Sequence, residues 1–147
     1  MNDRRDRSRS FEFVEHTADV MVRAYGATLE DAFAAAAEAM LTVITSGASI
    51  ALTDSVEIEK EAIDRAGLLV GFLSELVVVH ETNQMVLGEF DVTFTGECAL
   101  RARCRGERFD RAKHGGGLQV KGVSYHLLEI SQGDGEKPCV VQVLFDI

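Results

Sequence analysis

Two short stretches carry the residue types that could do chemistry. The first is Glu15-His16-Thr17-Ala18-Asp19, a polar knot between apolar segments; the second is Asp146-Ile147 after the apolar run Val140, Val141, Val143, Leu144 and Phe145. Residues three apart in a continuous strand point to opposite faces, so His16 and Asp19 converge only if the chain bends near Ala18. Otherwise the knot is a turn whose threonine and carboxylates satisfy backbone groups. The second stretch places the Asp146 side-chain carboxylate and the main-chain carboxylate of Ile147 one residue apart, on a strand expected to be locked into a sheet. Carboxylate oxygens are hard donors that suit calcium, or magnesium and manganese, while zinc would want more nitrogen or sulfur. An ordinary turn and an ordinary chain end are the competing readings.

The elements that must position these residues follow from periodicity. Phe11 to Val14 and Val20 to Tyr25 alternate as short strands, and Gly26 permits a turn. Thr28 with Asp31 predicts a helix start, and Leu29, Phe33, Ala36, Met40 and Ile44 trace its apolar stripe. Val56 to Glu59 alternate as a strand. Asp64 caps a second helix through Leu68, Leu69, Phe72, Leu73 and Leu76, whose end near Val77 to Val79 is left open because β-branched residues fit a helix less well. His80 is expected at that helix's end, where a cation favours the dipole. Beyond Met85 the chain is strand-rich: Phe90, Val92 and Phe94 alternate, then Cys98, Leu100, Ala102 and Cys104 on one face. Gly115 to Gly117 interrupt this pattern. Strands follow around Val120 to Ile130 and Cys139 to Phe145, joined by a Gly133-Asp134-Gly135 turn. The expected fold is a single α+β domain of antiparallel or mixed β-sheets layered with two α-helices. Residues 1–10 are expected to form a disordered tail before a domain spanning 11–147.

Composition narrows the function classes. The chain has 147 residues, a net charge of -9 and no apolar stretch near the ~20 residues needed to span a bilayer. The first ten residues hold four arginines and two aspartates, so the body carries 11 basic against 22 acidic residues. Such a body repels a phosphate backbone, which argues against direct nucleic-acid binding and for a cation or a basic protein as partner. Three cysteines without a CxxC spacing fit reduced thiols and a cytoplasmic setting. His126 is expected to be a hydrogen-bonded structural residue on a strand, and His114, beside three glycines, to steer a mobile loop. The glycines are no phosphate cradle, because the GxxxxGK pattern is missing.

Taken in order, these stretches resemble the archease family, small protein partners of the RtcB-type RNA-splicing ligase. The family's acidic-His-Thr-Ala-Asp pattern is similar to Glu15 through Asp19, followed by Ala24-Tyr25-Gly26, Thr28-Leu29-Glu30 and Ala32-Phe33. Its later segment is similar to His114, Gly117 and Val120-Lys121-Gly122-Val123-Ser124-Tyr125-His126, and its Phe-Asp-Ile finish to Phe145-Asp146-Ile147. The resemblance covers residues 11–147. It implies a calcium-type site on Asp19, Asp146 and Ile147, with Lys121 linked to activation and His16 near the site. It also implies a cofactor, not an enzyme, that promotes guanylylation and repeated turnover of the ligase in tRNA splicing. The chain departs from the pattern at Ser46, where many relatives carry aspartate, and Phe72 stands where a tryptophan is common. Two other readings are a metal-dependent hydrolase using Asp19, Asp146 and His16 or His126, and a general chaperone-like interaction module.

Overall fold

Both long helices begin where a side chain replaces a missing backbone partner. The Thr28 hydroxyl accepts from the Asp31 amide and starts α1 (Leu29–Thr45); the Asp64 carboxylate accepts from the Gly67 amide and starts α2 (Arg65–Asn83). Each ends on a residue in the left-handed conformation, Ser46 and Gln84. The computed structural model describes residues 9–16 and 19–147, with the backbone alone at residues 15 and 16. Residues 1–8 of the expected tail lie outside this range.

Around the helices the strands are β1 (Arg9–His16), β2 (Asp19–Gly26), β3 (Asp54–Glu61), β4 (Met85–Gly96), β5 (Ala99–Arg108), β6 (Gly122–Ser131) and β7 (Cys139–Asp146); a one-turn helix, α3 (Arg111–His114), lies between β5 and β6. They form two antiparallel sheets, ordered β1-β2-β7-β6 and β3-β5-β4. α1 packs on β1, β2 and β7 on one side and β4 on the other, while α2 packs on β6, β3 and β4. The helices are therefore a middle layer between two sheets, and the α+β class holds. This explains compositions that an amphipathic helix would not need. Ala34 to Ala37 are all buried, giving α1 thin sides for close approach, and Phe33, Phe72, Phe90 and Phe145 fill the space around them. α2 continues through Val77, Val78 and Val79 to Asn83: Val79 is buried and Val77 packs on the core while Val78 stays exposed, and that burial outweighs the modest β-branched penalty. His80 thus sits inside the last turn, where its Nδ1–H donates to the Met85 carbonyl.

β1 begins at Arg9, two residues before the apolar alternation. The Arg9 side chain is only 7% exposed and donates to Asp31 and to the Phe90 carbonyl, with Glu38 at 3.6 Å, so charge pairing supplies what apolar periodicity did not. Cys98 lies in the β4–β5 turn rather than on β5, leaving Leu100, Ala102 and Cys104 on the buried face. Burial pushes the Cys104 thiol up to about 12, so it is inert filler. Among the described residues, no helix is long and apolar enough to cross a membrane.

Each sheet turns one face to solvent, and the two faces differ. On the three-stranded sheet, Arg101 and Arg105 of central β5 pair with Glu59 on β3 and Glu89 on β4, and Arg103 stands in register between Glu57 and Asp91. On the four-stranded sheet, one polar row crosses every strand. Arg23 reaches Glu12 at 4.0 Å and donates to Gln142 at 2.7 Å, and the Gln142 amide donates to Glu129 at 3.1 Å.

Candidate functional site

Register brings the two sequence stretches together. β2 and β7 pair so that Asp19 stands directly opposite Asp146, and β6 pairs with β7 so that Gly122 stands on Asp146's other side. Val20 and Phe145, the next pair, are buried, so Asp19 and Asp146 belong to the open face of the four-stranded sheet. Side chains directly opposite on antiparallel strands have Cβ atoms about 4.5–5.5 Å apart, and like charges there repel. That spacing lets two carboxylates share one ion with metal–oxygen distances of about 2.3–2.6 Å, and an ion would remove the repulsion. The donor set fits a hard divalent cation: two carboxylates, with no sulfur and no described nitrogen. Among the described residues no group of three or more His, Cys, Asp or Glu side chains converges.

One backbone bond and one packing contact hold this row. The Lys121 amide donates to the Asp146 carbonyl at 2.7 Å, tying the end of β7 to the segment that enters β6. Ile147 packs against the core and anchors the residue after Asp146. Gly122 leaves the flank of Asp146 open; a Cβ there would lie 3.6 Å from its Oδ2. Lys121, Asp19, Asp146 and Ile147 are therefore neighbours in the fold although they come from three separate parts of the chain. The His16 backbone pairs with Val20 beside them, but its side chain, like Thr17 and Ala18, lies outside the described residues.

The segment before Lys121 is held by a cluster that sequence reasoning did not find. His114, expected in a mobile loop, is fully buried. Its Nδ1 accepts from the Asp110 amide at 2.9 Å, so Nε2 carries the proton and donates to Glu107 Oε2, also at 2.9 Å. The same oxygen accepts from Lys113 Nζ at 2.7 Å and from the Ala51 amide at 2.8 Å. One carboxylate thus joins β5, α3 and the segment after α1. Ala51 is 56 residues from Glu107, beyond any local pattern. The available signal is that the alternating arginines 101, 103 and 105 give way to an acid at 107.

These donors set a pH dependence. Lys113 first, then the Ala51 amide and His114, hold the Glu107 carboxyl down at about 2 against an ordinary 4.5. A depressed carboxyl stabilises the fold above its unfolded value and loses that contribution as pH falls towards its folded value. Wild-type stability should therefore decline between about pH 4.5 and pH 2. Glu107→Gln should flatten that decline in urea titrations, and an unchanged slope would assign acid sensitivity elsewhere.

His126 also departs from expectation. β6 leaves its register between Ser124 and Glu129, so residues 125–128 stand against Val143 alone. His126 is exposed; its amide, not its ring, is engaged, donating to Ser124 Oγ at 3.0 Å. It does not join the Asp19–Asp146 row.

The fold and site together define a small layered β/α/β protein whose candidate centre is an anionic row on an open sheet. Comparison with known proteins bears on the family and the fold. The Archease protein family profile matches residues 11–147. Similar proteins include the protein archease of Pyrococcus furiosus, 39% identical over 84% of this chain and 89% of that one. That of Methanosarcina barkeri is 36% identical over 95% and 97%. The solution structure of Methanobacterium thermoautotrophicum protein 1598 superposes with a TM-score of 0.68 at 32% identity, covering 93% of this chain and 98% of that one. The chain belongs to the archease family.

Proposed function

We propose that this protein is a cation-dependent activator of an RtcB-type RNA ligase, promoting its guanylylation and repeated turnover in tRNA splicing. The observation that carries the reading is the direct opposition of Asp19 and Asp146, with the Lys121 amide bound to the Asp146 carbonyl. In this reading Asp19, Asp146 and a main-chain oxygen of Ile147 hold calcium, with magnesium or manganese as substitutes. The ion supplies charge neutralisation where two carboxylates would otherwise repel. Lys121, fixed beside the ion through its backbone, offers a cation on a flexible stem to the partner, and His16 lies close enough in the chain to assist.

A family role as a partner's cofactor suits an open sheet face better than a hydrolase does. Hydrolysis asks for a nucleophile with an adjacent base in a water-excluding site. The buried histidine, His114, is committed to Glu107 and Asp110, and His126 faces solvent in the β6 excursion. Ligation of tRNA halves should pass from a single turnover to many when this protein is added to the ligase; no gain in turnover would refute the reading. Lys121→Ala should reduce that gain about tenfold or more while leaving calcium affinity by calorimetry within about twofold, since its side-chain charge, not its amide, is removed. The reverse ranking would make Lys121 part of the ion site.

A further inference from the structure

The solvent faces of the two sheets are chemically unlike, and the difference points to one of them as a contact surface. The three-stranded sheet pairs its arginines internally: those on the central strand meet acids on both neighbours, leaving a polar surface with no apolar centre. The four-stranded sheet instead has an apolar pair, Met21 opposite Leu144, both only half-buried. On one side of this pair runs the Glu12–Arg23–Gln142–Glu129 row; on the other stand Asp19 and Asp146.

The edge strand β6 carries a further exposed apolar residue where it leaves its register with β7. Leu127 is 57% exposed and has φ of 57°, in the left-handed region that a bulky residue seldom occupies. Two contacts hold it there: the Gln142 side-chain amide donates to the Leu127 carbonyl at 2.9 Å, and Ser124 Oγ accepts from the His126 amide. Because Gln142 belongs to the polar row of the open face, this bond draws the excursion alongside that face. A leucine kept exposed on unfavourable backbone, and braced there, contributes nothing to the core. Strain of this kind is found where a contact repays it.

We infer that the open face of the four-stranded sheet, centred on Met21, Leu144 and Leu127, is the docking surface for a protein partner whose matching patch is apolar and ringed by arginine or lysine. Charge selects that occupant. Glu12, Glu129, Asp19 and Asp146 bound the apolar centre, and the one arginine among them, Arg23, is already engaged by Glu12 and Gln142. With an ion on Asp19 and Asp146, the margin that stays acidic is the one where Glu12 and Glu129 outnumber Arg23, and it disfavours an RNA backbone and favours a basic protein rim. A partner seated here would touch the Asp19–Asp146 row directly.

This inference rests on the proposed ligase partnership, and the test separates the two. Leu127→Gly removes the side chain while relieving the left-handed backbone, so the fold should be kept, which thermal melting checks. Its affinity for the RNA ligase, measured by calorimetry with calcium present, should fall at least about tenfold, as should that of Met21→Lys. Calcium binding by Leu127→Gly alone should stay unchanged, while Met21→Lys, which adds a cation two residues from Asp19, is compared with wild type at saturating calcium. Arg103→Glu, on the opposite sheet, should bind the ligase like wild type. If wild type itself fails to bind the ligase, the partnership is wrong and this surface assignment falls with it. If wild type binds and Leu127→Gly and Met21→Lys bind equally well, or Arg103→Glu is the variant that loses binding, the partnership stands and the surface assignment is overturned.

Discussion

Asp19→Asn and Asp146→Asn are each expected to abolish activation of the ligase and, at the same time, to make the metal-free protein slightly more stable. The two effects share one cause. Without an ion, the directly opposed carboxylates of β2 and β7 repel and cost a few tenths of a kcal/mol; removing one charge relieves this. In the proposed reading the same opposition holds the ion. At about 100 times its dissociation constant, calcium should stabilise wild type by ~2.7 kcal/mol, which for a domain of this size is about 5–10 °C in melting temperature. That shift should vanish in both variants and in wild type with chelator. A calcium shift of wild-type size in either variant would remove these carboxylates from the ion site. Purely structural aspartates would give the opposite stability sign, losing stability when neutralised.

Gly117→Ala should be the most damaging substitution of a single methyl group near the site. A Cβ at Gly117 would collide with the carbonyl oxygens of Ile44 and Val43 at the end of α1, where backbone cannot swing aside as a side chain could. The next residue's amide donates to the same Val43 carbonyl at 3.0 Å, so displacing Gly117 also breaks that bond. Four residues after Gly117 comes Lys121, held to Asp146 through its own amide. Forced overpacking of this sort costs about 1–3 kcal/mol, and here it should also loosen Lys121 and weaken ligase activation. Gly116→Ala is the matched control: its Cβ would meet only the Ser46 Cβ at 3.8 Å, an ordinary contact, so stability and activation should stay near wild type. Equal behaviour of the two variants would show that the triple glycine serves flexibility rather than close packing.

Much of the scaffold was legible in the chain because it depends on local chemistry. Thr28 and Asp64 each satisfy an amide three residues ahead, so both helix starts could be read directly. Alternation placed Val20, Val22 and Ala24 on a buried face, as observed. Local rules failed where a tertiary layer supplied the deciding energy. The valine run of α2 stays helical because Val79 is buried and Val77 packs on the core, even though Val78 faces solvent. Arg9 extends β1 by pairing with Asp31 and Glu38, and Cys98 leaves its strand because the turn claims it. A helix of one turn, α3, offers too few residues for any periodicity to show, and with it went the burial of His114.

By itself the sequence determined the residue chemistry: hard oxygen donors at Asp19 and Asp146, an acidic body, capped helices and alternating strands, and an ordered set of motifs sufficient to suggest the family. Only the tertiary structure decided that Asp19 and Asp146 face each other, because a residue's partner across an antiparallel pair depends on register between strands some 120 residues apart. The same holds for His114, whose surroundings come from Glu107, Asp110 and Phe109 folding back on it. It holds too for Leu127, whose exposure follows from how β6 departs from β7. Side-chain type is a property of the chain; which side chains meet, and which are held out to solvent, is set by the packing of layers.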